Sequence, residues 1–146
     1  MVLTPTSRQF RVFIDSTVFF AACASALGAS RLLLDKGFSG LFQLCFSTLV
    51  LLETQENLAA KRPQALAQFD SYRAKIDSIT DPPVDLVQRA MRIVVAKDAP
   101  IIAAAASADA QYLLTLDQRH ILAQASAIAS EYGITVLTPG EALARL

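Results

Sequence analysis

The sequence predicts an α/β fold with three layers, in which helices cover both faces of a central, mainly parallel five-stranded sheet. Short apolar runs of strand length alternate with longer helical segments along the whole chain. Residues 41–46 are apolar on both faces, which is typical of a central parallel strand. With 53% hydrophobic and 18% charged residues, the 146-residue chain is expected to form a single domain over 1–146.

Five strands are predicted from short, mostly apolar runs bounded by polar or turn-forming residues. We expect the strand order 3-2-1-4-5, which makes the first and fourth strands neighbours. The predicted strands are 10–14, 41–46, 76–79, 112–116 and 134–137.

The helices begin and end at residues with known local preferences. Pro100 lies just inside a helix that begins at Asp98, where proline's missing N–H does no harm. Gly37 and Gly133 are expected to stop helices. The predicted helices are 16–23, 31–36, 48–62 (capped by Ser47 or Thr48), 63–75, 84–94, the one from Asp98, 118–132, and a short one capped by Thr138 and Pro139.

Composition limits the class of protein. No apolar run reaches the roughly 18 residues of a membrane span, and residues 1–9 lack the apolar stretch of a signal peptide, so we expect no membrane association. Cys23 and Cys45 lie in apolar runs, which indicates buried thiols and a cytoplasmic location. The formal net charge of zero argues against a nonspecific nucleic-acid binder but not against an acidic pocket with a basic rim.

Common motifs of α/β enzymes are absent. No Gly-x-Gly-x-x-Gly follows a strand, and the chain has neither a Gly-Lys-Ser/Thr P-loop nor a Gly-x-Ser-x-Gly elbow. A hydrolase with an aspartyl nucleophile would have Asp-x-Asp after the first strand, but Thr17 occupies the second position.

Carboxylates stand where neighbouring strands are expected to end. Asp15 ends the first strand and Asp117 follows the fourth, while Asp98 begins a helix in the same region. Glu53 lies in the first turns of the helix after strand two and is preferred to Glu56, which is farther from the helix start. Since ligands bind outside the carboxyl ends of strands in such sheets, these carboxylates are expected to form one cluster.

Each aspartate alone has an ordinary interpretation as a helix N-cap, worth about 1 kcal/mol. Together they favour a metal site, because lone carboxylates are costly to bury and like charges raise one another's pKa. A cation resolves both problems, and a set of carboxylates with few histidines and cysteines suits Mg²⁺ or Mn²⁺.

Several other polar residues lie near these positions in the sequence. Arg119, Lys97 and Arg31 are candidates for phosphate contact, although a surface cation is more often inert. His120 follows Asp117 by three residues and is interpreted as a surface histidine, with phosphate contact as the alternative.

The chain resembles the PIN-domain nucleases over residues 10–143. The resemblance rests on the order and spacing of short motifs, with a further one in the tail at 134–143. The motifs are Val-Phe-Ile-Asp15-Ser-Thr-Val, Ser47-Thr-Leu-Val-Leu-Leu-Glu53-Thr-Gln-Glu-Asn-Leu58, Lys97-Asp98-Ala-Pro-Ile-Ile and Tyr112-Leu-Leu-Thr115-Leu-Asp117.

The resemblance implies a Mg²⁺- or Mn²⁺-dependent ribonuclease, and many small members of this family resemble toxins of toxin–antitoxin modules. It implies a hydroxyl near the metal on Ser16 or Thr115. The family's acidic quartet falls on Asp15, Glu53, Asp98 and Asp117.

Two residues depart from the family pattern: Thr17 replaces a frequent asparagine and Gln111 a frequent aspartate. They leave open a competing hypothesis, an inactive domain of the same fold that binds RNA or protein. The apolar segments within 19–46 predict a partner surface, either a homodimer face or a groove for an antitoxin.

Overall fold

A computed structural model describes residues 9–146, so the expectation about a signal peptide concerns residues that lie almost wholly outside the described part. Strands and helices alternate as predicted. They are β1 (Arg11–Ile14), α1 (Ser16–Ala24), α2 (Ala29–Phe38), β2 (Gln43–Cys45), α3 (Thr48–Lys61), α4 (Leu66–Arg73), α5 (Val84–Ala90), α6 (Ala99–Ser107), β3 (Tyr112–Leu114), α7 (Ala125–Tyr132), β4 (Thr135–Leu137) and α8 (Pro139–Arg145), with 3₁₀ turns at Pro63–Ala65 and Leu122–Gln124.

The sheet has four parallel strands in the order β2-β1-β3-β4, so the predicted α/β class and parallel sheet are confirmed. The prediction of five strands is wrong, because residues 76–79 form no strand. That segment still passes the edge of the sheet, where the N–H of Thr80 donates to the carbonyl of Phe46 at 3.0 Å. Pro82 and Pro83 follow after Asp81, and proline has no N–H with which to extend a ladder.

Without that strand, β2 becomes an edge strand of the described sheet, and the interpretation of 41–46 as a central strand is wrong. Gln43 is accordingly exposed. The central strands are β1 and β3, whose residues Val12, Phe13, Ile14, Leu113 and Leu114 have no exposed surface. Because successive side chains of a strand point to opposite faces, both faces of the central strands are covered.

Gly37 does not stop a helix but lies inside α2. A Cβ atom at this position would come within 2.5 Å of Cγ of Leu44, so glycine allows α2 to approach β2 closely. Gly133, by contrast, ends α7 as predicted, with a left-handed φ of 68°.

Several helices are shorter than predicted. The segment 84–94 is helical only to Ala90, and 118–132 begins with turns and becomes α-helical at Ala125. Ser47 is the cap of α3, its hydroxyl accepting from the N–H of Val50, and Thr138 caps α8 in a capping box with Glu141. Thr48 instead donates through its N–H and hydroxyl to Asp81.

Within residues 9–146 no single helix has the length and apolarity to cross a membrane. The pair α1 and α2 would meet that criterion only together, and the two helices are bent by 99° at their junction. Both cysteines are buried and free, as predicted.

Candidate active site

The carboxyl ends of β1 and β3 lie side by side, which places Asp15 next to the segment that carries Asp117. The N–H of Asp15 donates to the carbonyl of Leu114 at 3.0 Å and extends the pairing by one residue. After β1 the chain crosses to β2 on one side, and β3 and β4 lie on the other. The strand order therefore reverses between β1 and β3, where sheets of this kind bind ligands.

Asp15 is held by three short hydrogen bonds at the start of α1. Its Oδ1 accepts from the N–H of Ser16 at 2.8 Å. Its Oδ2 accepts from the hydroxyls of Thr17 at 2.9 Å and Thr115 at 2.7 Å. Burial raises the pKa of the Asp15 carboxyl and these hydrogen bonds oppose the rise, so the carboxylate is fixed in orientation at an electrostatic cost.

The two threonines also fix the backbone beyond β3. The hydroxyl of Thr115 accepts from the N–H of Asp117, and that of Thr17 accepts from the N–H of Leu116, both at 3.0 Å. Each threonine thus joins the Asp15 carboxylate to the segment that leads to Asp117. Thr17, one of the two departures from the family pattern, is part of this connection.

Asp98 occupies the N-cap position of α6, but its side chain makes no capping hydrogen bond. Its Oδ2 is buried and has no hydrogen-bond partner among the described residues. Burial and the charges of Asp117 and Asp15 raise the pKa of Asp98, whereas Lys97 and His120 lower it. Capping therefore does not account for the Asp98 carboxylate.

Asp117 has one oxygen in a turn and the other facing the cluster. Its Oδ1 accepts from the N–H of His120 at 2.9 Å. Its Oδ2 lies 3.6 Å from Nδ1 of His120, which is also 3.5 Å from Oδ2 of Asp98. Asp98, Asp117 and His120 each offer a ligand atom, all within 4.8 Å of one another.

Glu53 on α3 belongs to the same neighbourhood. Its pKa is raised by burial and by the charges of Asp15 and Asp98, and lowered by Lys97 and by the Ser16 hydroxyl. Glu53 is half-buried, whereas Glu56, the alternative one turn along α3, is exposed. The four carboxylates of the predicted quartet therefore lie near enough to influence one another's pKa at one edge of the sheet. Of the four, Asp98 and Asp117 belong, with His120, to the group whose ligand atoms lie within 4.8 Å of one another.

Comparisons with known proteins agree with this geometry. The PIN domain model matches residues 11–119, which is most of the chain. The chain belongs to the PIN domain family. The resemblance seen in the sequence is thus confirmed, although no curated protein matches the sequence.

Two crystal structures have the same fold as this PIN domain. One is VapBC2 from Rickettsia felis bound to a DNA fragment from their promoter, with 13% identity, a TM-score of 0.64 and coverage of 88% of this chain and 98% of the other. The other is PAE2754 from Pyrobaculum aerophilum, with 17% identity, a TM-score of 0.65 and coverage of 93% and 94%. At these identities the similarity shows the fold alone.

The three basic residues of the PIN domain that are candidates for phosphate contact lie in two different places. Lys97 is exposed beside Asp98, and Arg119 is exposed in a groove that His120 also lines. Arg31 lies elsewhere, with its guanidinium donating to the carbonyls of Ala22 and Cys23 in the last turn of α1, at the other end of that helix from Asp15.

The structure changes the interpretation of two further residues. His120 faces the carboxylates of Asp98 and Asp117. In the sequence, the feature that indicates this placement is its spacing of three residues from Asp117, which brings the two side chains together across a turn. Gln111 lies before β3, at the opposite edge of the sheet, where its side chain accepts from the N–H of Arg11 at 2.7 Å. The departure at Gln111 is therefore separated from the cluster by the length of a strand.

Proposed function

We propose that this PIN domain is a metal-dependent endoribonuclease that hydrolyses phosphodiester bonds in RNA. The observation that carries the proposal is the buried Oδ2 of Asp98, which lacks a hydrogen-bond partner among the described residues. Asp98 offers a ligand atom within 4.8 Å of those of Asp117 and His120. A buried carboxylate oxygen of this kind needs a counter-charge. Within residues 9–146 its ion-pair contact is Nδ1 of His120 at 3.5 Å, and that imidazole is a cation only when it is protonated.

The residues present fit a divalent cation. Burial and mutual repulsion raise the pKa of Asp15, Glu53 and Asp98, and a cation would remove that cost. Carboxylate oxygens are the donors that Mg²⁺ and Mn²⁺ prefer. We propose Asp15, Glu53, Asp98 and Asp117 as the residues that hold the ion.

Each carboxylate has a role suited to its surroundings. When bound, the ion supplies an activated water and stabilises charge on the leaving oxygen. Asp15, held by hydroxyls, would keep a ligand oxygen in a fixed position, while Asp98 approaches from the start of α6 and Asp117 from the segment after β3. Glu53, half-buried and on a separate helix, orients the attacking water. Thr115 is completely buried and positions Asp15 rather than contacting substrate.

The substrate contacts would come from residues at the rim of the cluster. Lys97 and Arg119 are exposed and offer charge-assisted hydrogen bonds to phosphates, and the Ser16 hydroxyl lies beside Glu53. Single-stranded or looped RNA suits the site, since a scissile phosphate must reach the edge of the sheet.

We also propose that the domain works in the cytoplasm as the toxin of a toxin–antitoxin module and that it forms a homodimer. The family resemblance and the structural similarity to VapBC2, crystallised on promoter DNA, support an antitoxin partner. Copurification with the product of a neighbouring gene tests the partner, and light scattering tests the dimer. A monomer at micromolar concentration contradicts the homodimer.

Cleavage by matched carboxylate variants tests the activity. Wild-type protein with Mg²⁺ or Mn²⁺ should cut an RNA that contains single-stranded loops, and the variants Asp15→Asn and Glu53→Gln should lose this activity. Glu56→Gln is the control, because Glu56 lies on the same helix but is exposed. If purified Asp15→Asn cleaves RNA as fast as wild type, the proposed catalytic site is wrong. If the wild type binds RNA or a partner protein but cuts no RNA with either ion, an inactive binding domain takes the place of the proposed function.

A further inference from the structure

We propose that Nδ1 of His120 is a direct ligand of the metal ion and that it gives this site a preference for Mn²⁺ over Mg²⁺. The inference rests on the proposed metal-dependent function and specifies the ion. It adds a nitrogen donor to a site otherwise made of carboxylate oxygens.

The distances suit a shared coordination shell. Nδ1 of His120 lies 3.5 Å from Oδ2 of Asp98 and 3.6 Å from Oδ2 of Asp117. In an octahedral shell with bonds of about 2.1 Å, adjacent ligands are about 3.0 Å apart and opposite ones about 4.2 Å. The three atoms, all within 4.8 Å of one another, need only a small contraction to surround one ion.

The unpartnered oxygen of Asp98 points independently to a ligand. The side chain of Asp98 is only 8% exposed, and its Oδ2 accepts no hydrogen bond among the described residues. The separation of 3.5 Å from His120 is too long for a good hydrogen bond, so the imidazole does not satisfy this oxygen directly. Buried polar atoms without partners in a folded protein commonly mark a water or ion site.

The backbone holds His120 in position for this role. Its N–H donates to Oδ1 of Asp117, which fixes residue 120 in the turn after β3 while Oδ2 of Asp117 stays directed at the imidazole. The His120 side chain is 35% exposed, which leaves an entry path for an ion. The competing interpretation is that the imidazole only pairs with the two carboxylates as a cation.

The preference between the two ions follows from their ligand chemistry. Mg²⁺ is bound through oxygen donors and releases its waters reluctantly. Mn²⁺ also binds carboxylate oxygens, but it belongs to the transition ions, which accept imidazole nitrogen as a ligand more readily than Mg²⁺ does. The wild-type domain should therefore bind Mn²⁺ more tightly than Mg²⁺. Replacing His120 by glutamine should weaken Mn²⁺ binding by about 10- to 100-fold and change Mg²⁺ binding much less.

The chain contains a single histidine, which makes a direct test possible. In tag-free protein titrated with Mn²⁺ alone, electron spin-echo modulation should show coupling to an imidazole nitrogen, which can come only from His120. Calorimetry with each ion should give a Mn²⁺-to-Mg²⁺ affinity ratio that falls in His120→Gln. The ratio should stay unchanged in Gln118→Ala, an exposed neighbour in the same turn.

The outcomes separate this inference from the proposed function. Nitrogen coupling supports the inference even if the domain cuts no RNA. Bound Mn²⁺ without nitrogen coupling, or an unchanged affinity ratio in His120→Gln, overturns it while the carboxylate site and the nuclease activity still stand. Failure of the wild type to bind either ion overturns both.

Discussion

The hydroxyl of Thr115 donates a hydrogen bond of 2.7 Å to Oδ2 of Asp15, joining residues 100 positions apart in the sequence. The same oxygen of Thr115 accepts from the N–H of Asp117 at 3.0 Å. One side chain thus fixes the carboxylate after β1 and the backbone that carries the carboxylate after β3. Because Thr115 has no exposed surface, water cannot replace these hydrogen bonds without reorganising the sheet edge.

Replacing Thr115 by valine should slow RNA cleavage by about 10- to 100-fold, because the ligand carboxylates lose the group that orients them. Thr115→Val should also lower the free energy of unfolding by about 1–3 kcal/mol, since the N–H of Asp117 loses its partner. Cleavage assays and urea unfolding measure the two effects. Thr115→Ser, which keeps the hydroxyl, is the control, and a valine variant as active as wild type rules out the positioning role.

The Asp98→Asn variant should be more stable than wild type in the absence of metal, by about 1 kcal/mol, while losing cleavage. The substitution removes a buried charge that lies near Asp117 and Asp15 and has no hydrogen bond at Oδ2. Thermal unfolding with a chelator measures the gain. Millimolar Mn²⁺ should then stabilise wild type but not the variant, because a ligand that binds the folded state raises its stability.

Asp109→Asn is the matched control for that comparison. Asp109 is exposed at the end of α6 with φ of 55°, a conformation that asparagine tolerates well, so its stability should change little with or without Mn²⁺. A loss of stability in metal-free Asp98→Asn contradicts the view that Asp98 carries an electrostatic cost.

The order of the strands and the meeting of the carboxylates were predictable from the sequence. Asp15 and Asp117 end runs that are apolar enough to be central parallel strands, and neighbouring parallel strands end at the same sheet edge. Asp98 and Glu53 reach that edge because their helices begin there. The family motifs indicate which four acidic residues form the quartet. The parallel arrangement of β1 and β3, whose carboxyl ends meet at one edge of the sheet, explains why they lie near one another.

Features that depend on tertiary contacts were not predictable. Local composition predicts a strand at 76–79, but a ladder needs a partner edge and free N–H groups, and the prolines at 82 and 83 prevent the ladder from continuing beyond Asp81. The helix stop at Gly37 was inferred from glycine's local preference, whereas its contact partner Leu44 lies on another element. The role of His120 depends on Asp98, a residue 22 positions earlier in the chain.

The two thiols should react slowly in the native protein. Burial raises the pKa of Cys23 to about 12, against the opposing charge of Arg31, and also raises the pKa of Cys45. Since the thiolate is the reactive form, at about pH 8 only about one Cys23 in 10⁴ is ionised, and reactivity rises as the pH approaches 12. Labelling with Ellman's reagent should detect two thiols readily after denaturation in guanidinium chloride and almost none before it. Rapid native labelling contradicts the burial of both side chains.

Replacing Gly37 by alanine should destabilise the protein by about 1–3 kcal/mol, because the new Cβ would lie 2.5 Å from Cγ of Leu44 and 2.7 Å from its Cδ2. The whole branched end of Leu44 must move, so either its side chain leaves its present rotamer or α2 and β2 move apart. Urea unfolding should show that Gly37→Ala costs much less in a Leu44→Ala background, which isolates the contact as a coupling energy. Gly140→Ala in α8 is the control: nothing lies within 4 Å of its Cβ position, so alanine there should be neutral or stabilising. Equal costs for Gly37→Ala in both backgrounds mean that the helix-to-strand contact does not explain the glycine.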